Sequence, residues 1–152
     1  MYTRIATEIA ISAPAYSVWD VLTDFSRYPD WNPFILKVRG AVQEKASVKY
    51  RFEFPPGFRM WATAKVLSFK PEKELRWAAH FLTPALFNGD HYFVIEQVSE
   101  NSVSFHHGEI FTGLLTPLAL PLLRLYGRRV YQGLNNALKE RVESRFITMA
   151  AQ

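Results

Sequence analysis

Apolar and polar residues alternate through most of the chain before residue 113. The alternation is clearest where Val48, Tyr50, Phe52 and Phe54 are separated by charged or hydroxyl-bearing residues. A β-strand with one buried and one solvent-facing side produces this period of two. Segments rich in Pro, Gly, Asn and Ser separate similar stretches. The pattern predicts seven strands, at residues 2–11, 35–42, 47–54, 59–69, 75–81, 91–98 and 102–111.

Two short helices are predicted between the first and second strands. The segment 12–14 (Ser-Ala-Pro) ends the first strand and starts a helix at 16–22, because Pro is favoured in a first helical turn. Asp24 is a capping residue for a second helical turn, which we expect to end at Pro29.

The hydrophobic period changes after Gly113, from two residues to three or four. This change predicts one long helix of ~25–30 residues with an apolar stripe. Pro121 falls near its first turns, so a late start or a kink is expected there. Gly133 lies on the stripe and would let the sheet or a ligand approach closely. The stripe consists of Leu122, Leu125, Tyr126, Val130, Leu134, Ala137, Leu138, Val142 and Phe146.

These elements predict a single α+β domain over residues 1–152. An antiparallel meander of seven strands is too twisted to lie flat, so we expect it to curl around the one long helix. A single helix does not fill the concave side of such a sheet completely. The remaining space predicts an internal apolar cavity, filled by large side chains or by a hydrophobic small molecule.

The composition is rich in aromatic residues, and it excludes several kinds of chemistry. Aromatic residues make up 15% of the chain, and their large rings suit both cores and the walls of cavities. The sequence has no Cys, which excludes thiolate metal sites, iron–sulfur clusters and Cys nucleophiles. It also has no phosphate-binding Gly motif and no Ser–His–Asp spacing. We therefore predict no metal and no cofactor.

The chain is mildly basic, with a formal net charge of +4. A solvated helix face explains the basic residues near the C-terminus, and docking on an anionic membrane is the alternative. No RNA-binding motif indicates a nucleic-acid partner. The N-terminus lacks a signal-peptide pattern and the apolar segment 114–123 is too short to span a bilayer, so we expect a cytoplasmic protein. The clustered basic residues are Arg124, Arg128, Arg129, Lys139, Arg141 and Arg145.

The last predicted hairpin carries titratable residues on its inward side. His107 and Glu109 share the face of the neighbouring phenylalanines, and a turn near residue 100 brings His91 close to Glu109. A His–carboxylate pair in an apolar cavity suits proton transfer or hydrogen bonding to a ligand carbonyl. The alternative is a buried pair whose members only satisfy each other. A metal triad of these three residues lacks ligand spacing on a helix or loop.

The other candidate ligand contacts are aromatic or apolar. Small-molecule sites are mostly apolar with a few placed polar groups. Core packing explains each side chain alone, whereas the group is typical of a pocket wall. The set comprises Trp31, Tyr50, Phe52, Trp77 and Phe93, with Tyr126 and Val130 from the long helix.

Three segments of the sequence resemble a known superfamily. They are 11–19 (ISAPAYSVW), 28–34 (YPDWNPF) and 106–113 (HHGEIFTG). Together they are similar to the START/Bet v 1-like helix-grip proteins (SRPBCC), and most similar to the bacterial polyketide cyclase/dehydrase and lipid-transport branch. The resemblance covers essentially the whole chain and implies a curved sheet around a long helix. Members carry lipids, sterols, quinones or polyketides, so the fold alone does not decide the function.

Two departures limit what the resemblance implies. The turn 43–46 (QEKA) is not the Gly-rich loop of plant allergen-type members, so no phosphate-binding role is implied. The lack of Cys excludes the ring-hydroxylating oxygenase activity of other members. The resemblance implies binding or transport of a hydrophobic small molecule such as a lipid, a quinone or a polyketide-like ring. The alternative is a cyclase/dehydratase-type enzyme that uses His91, His107 and Glu109 as acid–base groups.

Overall fold

Seven antiparallel strands form one curved sheet, as the alternation predicts. The computed structural model describes residues 2–41 and 43–152. The sheet order is β1-β7-β6-β5-β4-β3-β2, so every neighbouring pair except β1 and β7 is consecutive along the chain. The strands are β1 (Tyr2–Ile11), β2 (Ile35–Arg39), β3 (Ser47–Phe54), β4 (Phe58–Lys70), β5 (Glu74–Phe81), β6 (Phe87–Ser99) and β7 (Ser102–Thr112).

Helical segments connect β1 to β2 and follow β7. Helix α4 packs against β1 and α1. A π-helical turn interrupts the C-terminal helix two residues after Pro121, where the sequence predicts an irregularity. No helix in the described parts of the chain is long and apolar enough to cross a membrane. The segments are α1 (Ala15–Thr23), a 3₁₀ turn (Phe25–Arg27), α2 (Tyr28–Trp31), α3 (Thr116–Leu122), the π-helical turn (Leu123–Gly127) and α4 (Arg128–Ala150).

The predicted strand boundaries hold with two exceptions of several residues. β2 ends at Arg39 instead of residue 42, which lies outside the described residues. β6 begins at Phe87, before the predicted start at residue 91, because Asn88 and Gly89 pair with β7 instead of forming a turn. Pro29 does not end a helix as predicted, since it lies in the first turn of α2, where its missing N–H needs no partner.

The predicted apolar stripe is correct in α4 and wrong near α3. Leu134, Leu138 and Val142 are buried, whereas Leu122 and Leu125 are exposed. Many stripe residues follow one another at intervals of four, and each such step turns about 40° beyond a full turn. Over the three steps from Val142 to Val130 this row winds about 120° around the helix axis, and the π-helical turn at Leu123–Gly127 then changes the phase again before Leu122. Leu122 therefore faces solvent.

The helix approaches the sheet at Gly127, not at Gly133. A Cβ at Gly127 would collide with the Cδ1 of Ile5 on β1, so the missing side chain allows close packing there. A Cβ at Gly133 would meet no atom within 4 Å. Gly133 therefore borders open space.

Gly113 joins β7 to α3 in a conformation that other residues rarely adopt. Its φ is +112°, and a Cβ there would lie 2.5 Å from the backbone oxygen of Leu86. Gly57 has a similar φ of +119° but no atom within 4 Å of the corresponding Cβ position. A comparison of substitutions at the two glycines therefore distinguishes the effect of backbone strain from that of crowding around the added Cβ.

We expect Gly57→Ala to lower the free energy of unfolding by about 1 kcal/mol and Gly113→Ala by about 3 kcal/mol. Both substitutions strain the backbone, but only the second also forces an atom against the main chain. Urea unfolding followed by tryptophan fluorescence measures both losses. Equal losses would show that crowding at Gly113 is unimportant.

Candidate functional site

The pairing of β6 with β7 places three titratable side chains on the inner face of the sheet. His91 lies directly opposite Glu109, and Phe93 lies opposite His107. His91 is 2% exposed, His107 is fully enclosed and Glu109 is 8% exposed. The predicted inward orientation is therefore confirmed, while their role stays a prediction. Among residues 2–41 and 43–152, no group of three or more His, Cys, Asp or Glu side chains is placed to hold a metal ion.

A chain of buried hydrogen bonds connects β1, α4, β7 and β6. The Nδ2 of Asn135 donates to the Oγ1 of Thr7 over 2.8 Å, and the Thr7 hydroxyl donates to the backbone oxygen of His107 over 2.7 Å. The Oδ1 of Asn135 lies 2.8 Å from the Nδ1 of His107. The Nε2 atoms of His107 and His91 are 2.7 Å apart. Polar groups that satisfy one another therefore tie the helix to the sheet.

These partners assign the hydrogens on both imidazoles. The Thr7 hydroxyl uses its one hydrogen on a carbonyl, so it accepts from the amide of Asn135, whose oxygen must then face His107. The Nδ1 of His107 therefore carries a hydrogen, and its Nε2 accepts when the ring is neutral. His91 must donate from Nε2. The lone pair on Nδ1 of a neutral His91 is then left facing the Oε2 of Glu109, at 3.5 Å.

The carboxyl of Glu109 contacts both His91 of β6 and Tyr131 of α4. The Tyr131 hydroxyl donates to the Oε2 of Glu109, the same oxygen that faces His91. A carboxylate opposite an imidazole lone pair would bring two acceptors together, so the arrangement requires one proton between them. The carboxyl lies over Gly89, where a Cβ would collide with the Oε1 of Glu109. Only a residue without a side chain leaves room for it.

Burial shifts the pKa values of this set in opposite directions. Burial raises the pKa of Glu109 to about 7, although the hydrogen bond from Tyr131 opposes that shift. Burial lowers the pKa of His107 to about 4, against the hydrogen bond to Asn135. Burial and the neighbouring His107 hold the pKa of His91 well below its usual range. Between the pKa values of His107 and Glu109, both imidazoles are neutral, and the proton between His91 and Glu109 resides on the carboxyl.

Aromatic rings surround this polar set. The ring of Trp77 stacks on Tyr50 at 5.6 Å and lies 5.8 Å from His91. Phe93 stacks on His91 at 4.7 Å, and Phe52 lies 5.8 Å from Tyr50. Four of the predicted wall residues are therefore brought together here. Within the residues that the structure describes, the buried Nε1 of Trp77 has no hydrogen-bond partner.

Buried side chains occupy the interior, where the sequence predicts a cavity. A groove opens beside this interior. The groove has a volume of about 400 Å³. Phe34 lines this groove, and its ring also lies 6.0 Å from His91 and 5.3 Å from Tyr131. Phe34 thus lies next to both the groove and the polar set. Two charged side chains border the groove together with apolar residues, and the other lining residues are Pro33, Glu53, Pro55, Pro56, Gly57, Arg129, Val130 and Gly133.

Three predicted contact residues lie outside the aromatic shell of His91. Trp31 lines a different groove between α2 and α4, next to Arg141. Tyr126 packs on Phe54 at 6.4 Å, just before α4 begins. Val130 lines the groove beside Phe34. The structure therefore places Val130 near the polar set and groups Trp31 elsewhere.

The sequence patterns do not single out Tyr131, Asn135, Thr7 or Phe34 as site residues. Tyr131 and Asn135 lie four residues apart on the buried face of α4. Steps of three or four residues from Val142 through Leu138 reach both positions. This helical spacing therefore indicates that both side chains lie on the buried face. The predicted stripe omits Asn135 because it is polar, and it omits Tyr131 although it includes Tyr126. Thr7 shares the buried alternation of β1 with Ile5 and Ile11, whereas Phe34 has no periodic signal.

Solved structures of low sequence identity share this fold. The Zhui aromatase/cyclase from a Streptomyces species matches with a TM-score of 0.75 at 16% identity, over 95% of this chain and 96% of that one. A START superfamily protein from Mycobacterium smegmatis gives 0.71 at 17% identity, over 93% and 97%. Norcoclaurine synthase from Thalictrum flavum, in complex with dopamine and hydroxybenzaldehyde, gives 0.70 at 12% identity, over 93% and 87%. These similarities establish the helix-grip fold.

Sequence comparison identifies the family. No curated protein sequence matches the chain at a significant level. A family model described as polyketide cyclase / dehydrase and lipid transport matches residues 2–143. This range contains the three segments that carry the resemblance and every member of the polar set. The chain therefore belongs to the polyketide cyclase/dehydrase and lipid-transport family of START/Bet v 1-like helix-grip proteins.

Proposed function

We propose that the chain binds a hydrophobic small molecule that enters through the groove beside Phe34 and hydrogen-bonds to Glu109. The observation that carries this proposal is the unused oxygen of a buried carboxyl. Both contacts of Glu109 fall on Oε2, and no donor among the described residues reaches Oε1. Because the proton of this carboxyl lies on Oε2, facing His91, Oε1 is an acceptor, and its aromatic surroundings suit an apolar ligand that carries a hydroxyl.

The indole N–H of Trp77, unpaired among the described residues, also supports the binding of a ligand that carries an oxygen. A buried donor without an acceptor destabilises the folded state by about 1–3 kcal/mol. A ligand oxygen that reached the Nε1 of Trp77 would remove this penalty. Membership of a family described by polyketides and lipids agrees with such a ligand, and a lipid, a quinone or a polyketide-like ring has both the apolar body and the oxygen.

Phe34 lines the groove and its ring lies 6.0 Å from that of His91, so movement of this ring would open a path from the groove to the polar set. Three prolines and Phe34 line one part of the groove, and Val130 and Gly133 of α4 line another. Because the Cβ position of Gly133 meets no atom within 4 Å, this part of the helix leaves the groove open. The ligand body would lie between these parts, with its oxygen pointing past Phe34.

We expect Gly133→Leu to fill the groove and weaken binding of 2-acetylnaphthalene by about tenfold or more. This probe combines fused aromatic rings with a carbonyl, and quenching of tryptophan fluorescence reports its binding. Gly133→Ala is the matched control, because it adds only a methyl group and should retain binding. Both variants should be at least as stable as the wild type, since Gly is the weaker helix former by about 1 kcal/mol.

Equal binding by the wild type and Gly133→Leu would place the ligand elsewhere. A second pair of probes, 1-(2-naphthyl)ethanol and 2-ethylnaphthalene, has nearly the same shape with and without a hydroxyl. A preference for the alcohol that disappears in Glu109→Met, which has no hydrogen-bonding oxygen, would support the hydrogen bond to Glu109. Absence of any preference in the wild type would contradict it.

The raised pKa of Glu109 predicts a specific dependence of stability on pH. The folded state holds the carboxyl proton up to a pH of about 7, whereas the unfolded chain loses it near 4.5. The resulting stabilisation is complete below pH 4.5 and is lost as the pH rises to 7. The lowered pKa of His107 acts in the opposite direction, because the unfolded chain binds more protons between pH 4 and 6.5.

Comparison with Glu109→Gln isolates the carboxyl from the histidines. Between pH 4.5 and 8, the wild type should lose about 3 kcal/mol of unfolding free energy relative to this variant. Urea unfolding of both proteins across this range gives the difference directly. A difference that does not change with pH would mean that Glu109 titrates as an ordinary exposed carboxyl.

Acid–base catalysis is the second candidate function. It is favoured by the single proton between His91 and Glu109, with a carboxyl pKa of about 7 that suits transfer near neutral pH. Cyclase and dehydratase reactions of polyketides begin by removing a proton next to a carbonyl. The ionised form of Glu109, which is present in about half of the molecules at a pH near its pKa of about 7, would accept that proton.

The exchange of methyl hydrogens of 2-acetylnaphthalene in D₂O, followed by NMR, tests this second function. The wild type should accelerate exchange, and Glu109→Gln should reduce the acceleration by about a hundredfold or more. Glu140→Gln is the control, since it removes an exposed carboxyl from α4. Exchange no faster than in buffer, with the ketone bound, would reject catalysis and leave the binding function.

A further inference from the structure

Four leucines of the segment after β7 have no packing partner on their outer side. Leu114, Leu118, Leu122 and Leu125 are between 44% and 80% exposed. The last three are separated by four and three residues, so they lie on one side of the helix. We call these four residues the leucine surface. A continuous exposed apolar surface of this kind is typical of an interaction site.

The charges around the leucine surface have one sign. No acidic residue occurs between residues 110 and 139. Arg124, Arg128 and Arg129 are exposed. None of the three is in a salt bridge within residues 2–41 and 43–152. In space, Glu8 lines a groove with Arg4 and Arg128, and Glu53 lines one with Arg129, but these carboxylates pair with His106 and Arg59 instead. This part of the molecule therefore combines an apolar face with arginines that form no salt bridge among the described residues.

A groove beside α3 brings two of these arginines together with a third from β1. Arg4, Arg124 and Arg128 line this groove, which has a volume of about 350 Å³. The guanidinium of Arg4 is held by hydrogen bonds of 3.2 and 3.0 Å to the hydroxyl of Tyr92. Guanidinium groups bind phosphate oxygens in pairs, so the groove suits an anionic headgroup.

We propose that the leucine surface docks this protein on anionic phospholipid membranes, with Arg4, Arg124 and Arg128 at the headgroups. Leucines that enter the boundary of the acyl chains and arginines that bind phosphate are the two components of an interfacial amphipathic helix. The inference does not depend on the proposed ligand site: Arg129 also lines the groove beside Phe34, but the docking rests on the four leucines and on Arg4, Arg124 and Arg128, which do not line that groove.

A second copy of the chain fits this surface less well than a membrane does. In a twofold dimer the same patch would face itself, so Arg124, Arg128 and Arg129 would meet their own counterparts. Like charges opposite one another oppose association. An anionic lipid surface provides the opposite charge together with an apolar layer.

Sedimentation with vesicles tests the docking. The full chain is mixed with vesicles of phosphatidylcholine alone or with about one third phosphatidylglycerol. We expect binding only to the mixed vesicles, and weaker binding at about 1 M salt than at 0.1 M, because salt screens the arginines. Binding to both vesicles alike, or to neither, would overturn the proposal.

Two double variants separate the apolar and the charged components. Leu118→Ser/Leu125→Ser should weaken vesicle binding by roughly a hundredfold or more, as two leucines no longer leave water. Arg124→Gln/Arg128→Gln should weaken it by about thirtyfold. All four positions are exposed, so the melting temperature should change little.

Matched controls lie on other parts of the surface. Val98→Ser removes an exposed apolar side chain at the end of β6, and Lys49→Gln/Lys65→Gln removes two charges from exposed positions of β3 and β4. Both controls should bind vesicles like the wild type. Equal loss in a control and in the corresponding leucine or arginine variant would overturn the proposal. Leucine-dependent dimerisation without vesicle binding would assign this surface to a second copy instead.

Discussion

The hydrogen bond between His107 and Asn135 determines which of the neighbouring polar groups donate and which accept hydrogen bonds. It sets the tautomer of His107, which makes His91 a donor and turns the free lone pair of His91 toward Glu109. It also ties α4 to β7, while the same amide reaches Thr7 on β1. A buried polar group that loses its partner costs about 1–3 kcal/mol, so the helix cannot slide along the sheet without breaking several bonds. Apolar contacts alone would tolerate such a displacement.

Most of the fold follows from periodicity, and so does the meeting of His91 with Glu109. A short turn near residue 100 leaves few registers for the last hairpin, and the strand period then puts both residues on one face. Periodicity predicts the buried face of the C-terminal helix less well. A row of residues at intervals of four winds slowly around a helix, so it agrees with the buried face at Val142 and departs from it by Leu122.

The rest of the site depends on three-dimensional relations that a sequence does not express. Aromatic residues suit a filled core and a cavity wall equally well, and here Trp77 and Phe93 do fill the interior. Asn88 and Gly89 have the composition of a turn, yet they continue β6 and leave space for the carboxyl of Glu109. Tyr131 and Asn135 are polar residues on a buried face, which a search for apolar residues excludes.

Phe34 lines the groove and its ring also lies 6.0 Å from that of His91, so movement of Phe34 would change what surrounds the polar set. Water that enters past Phe34 would stabilise the ionised carboxyl, whereas an apolar occupant would stabilise the neutral form. Occupancy and proton uptake are then linked functions: whatever favours one favours the other by the same factor. A ligand that displaced water there would then be held more tightly at a lower pH and released at a higher pH.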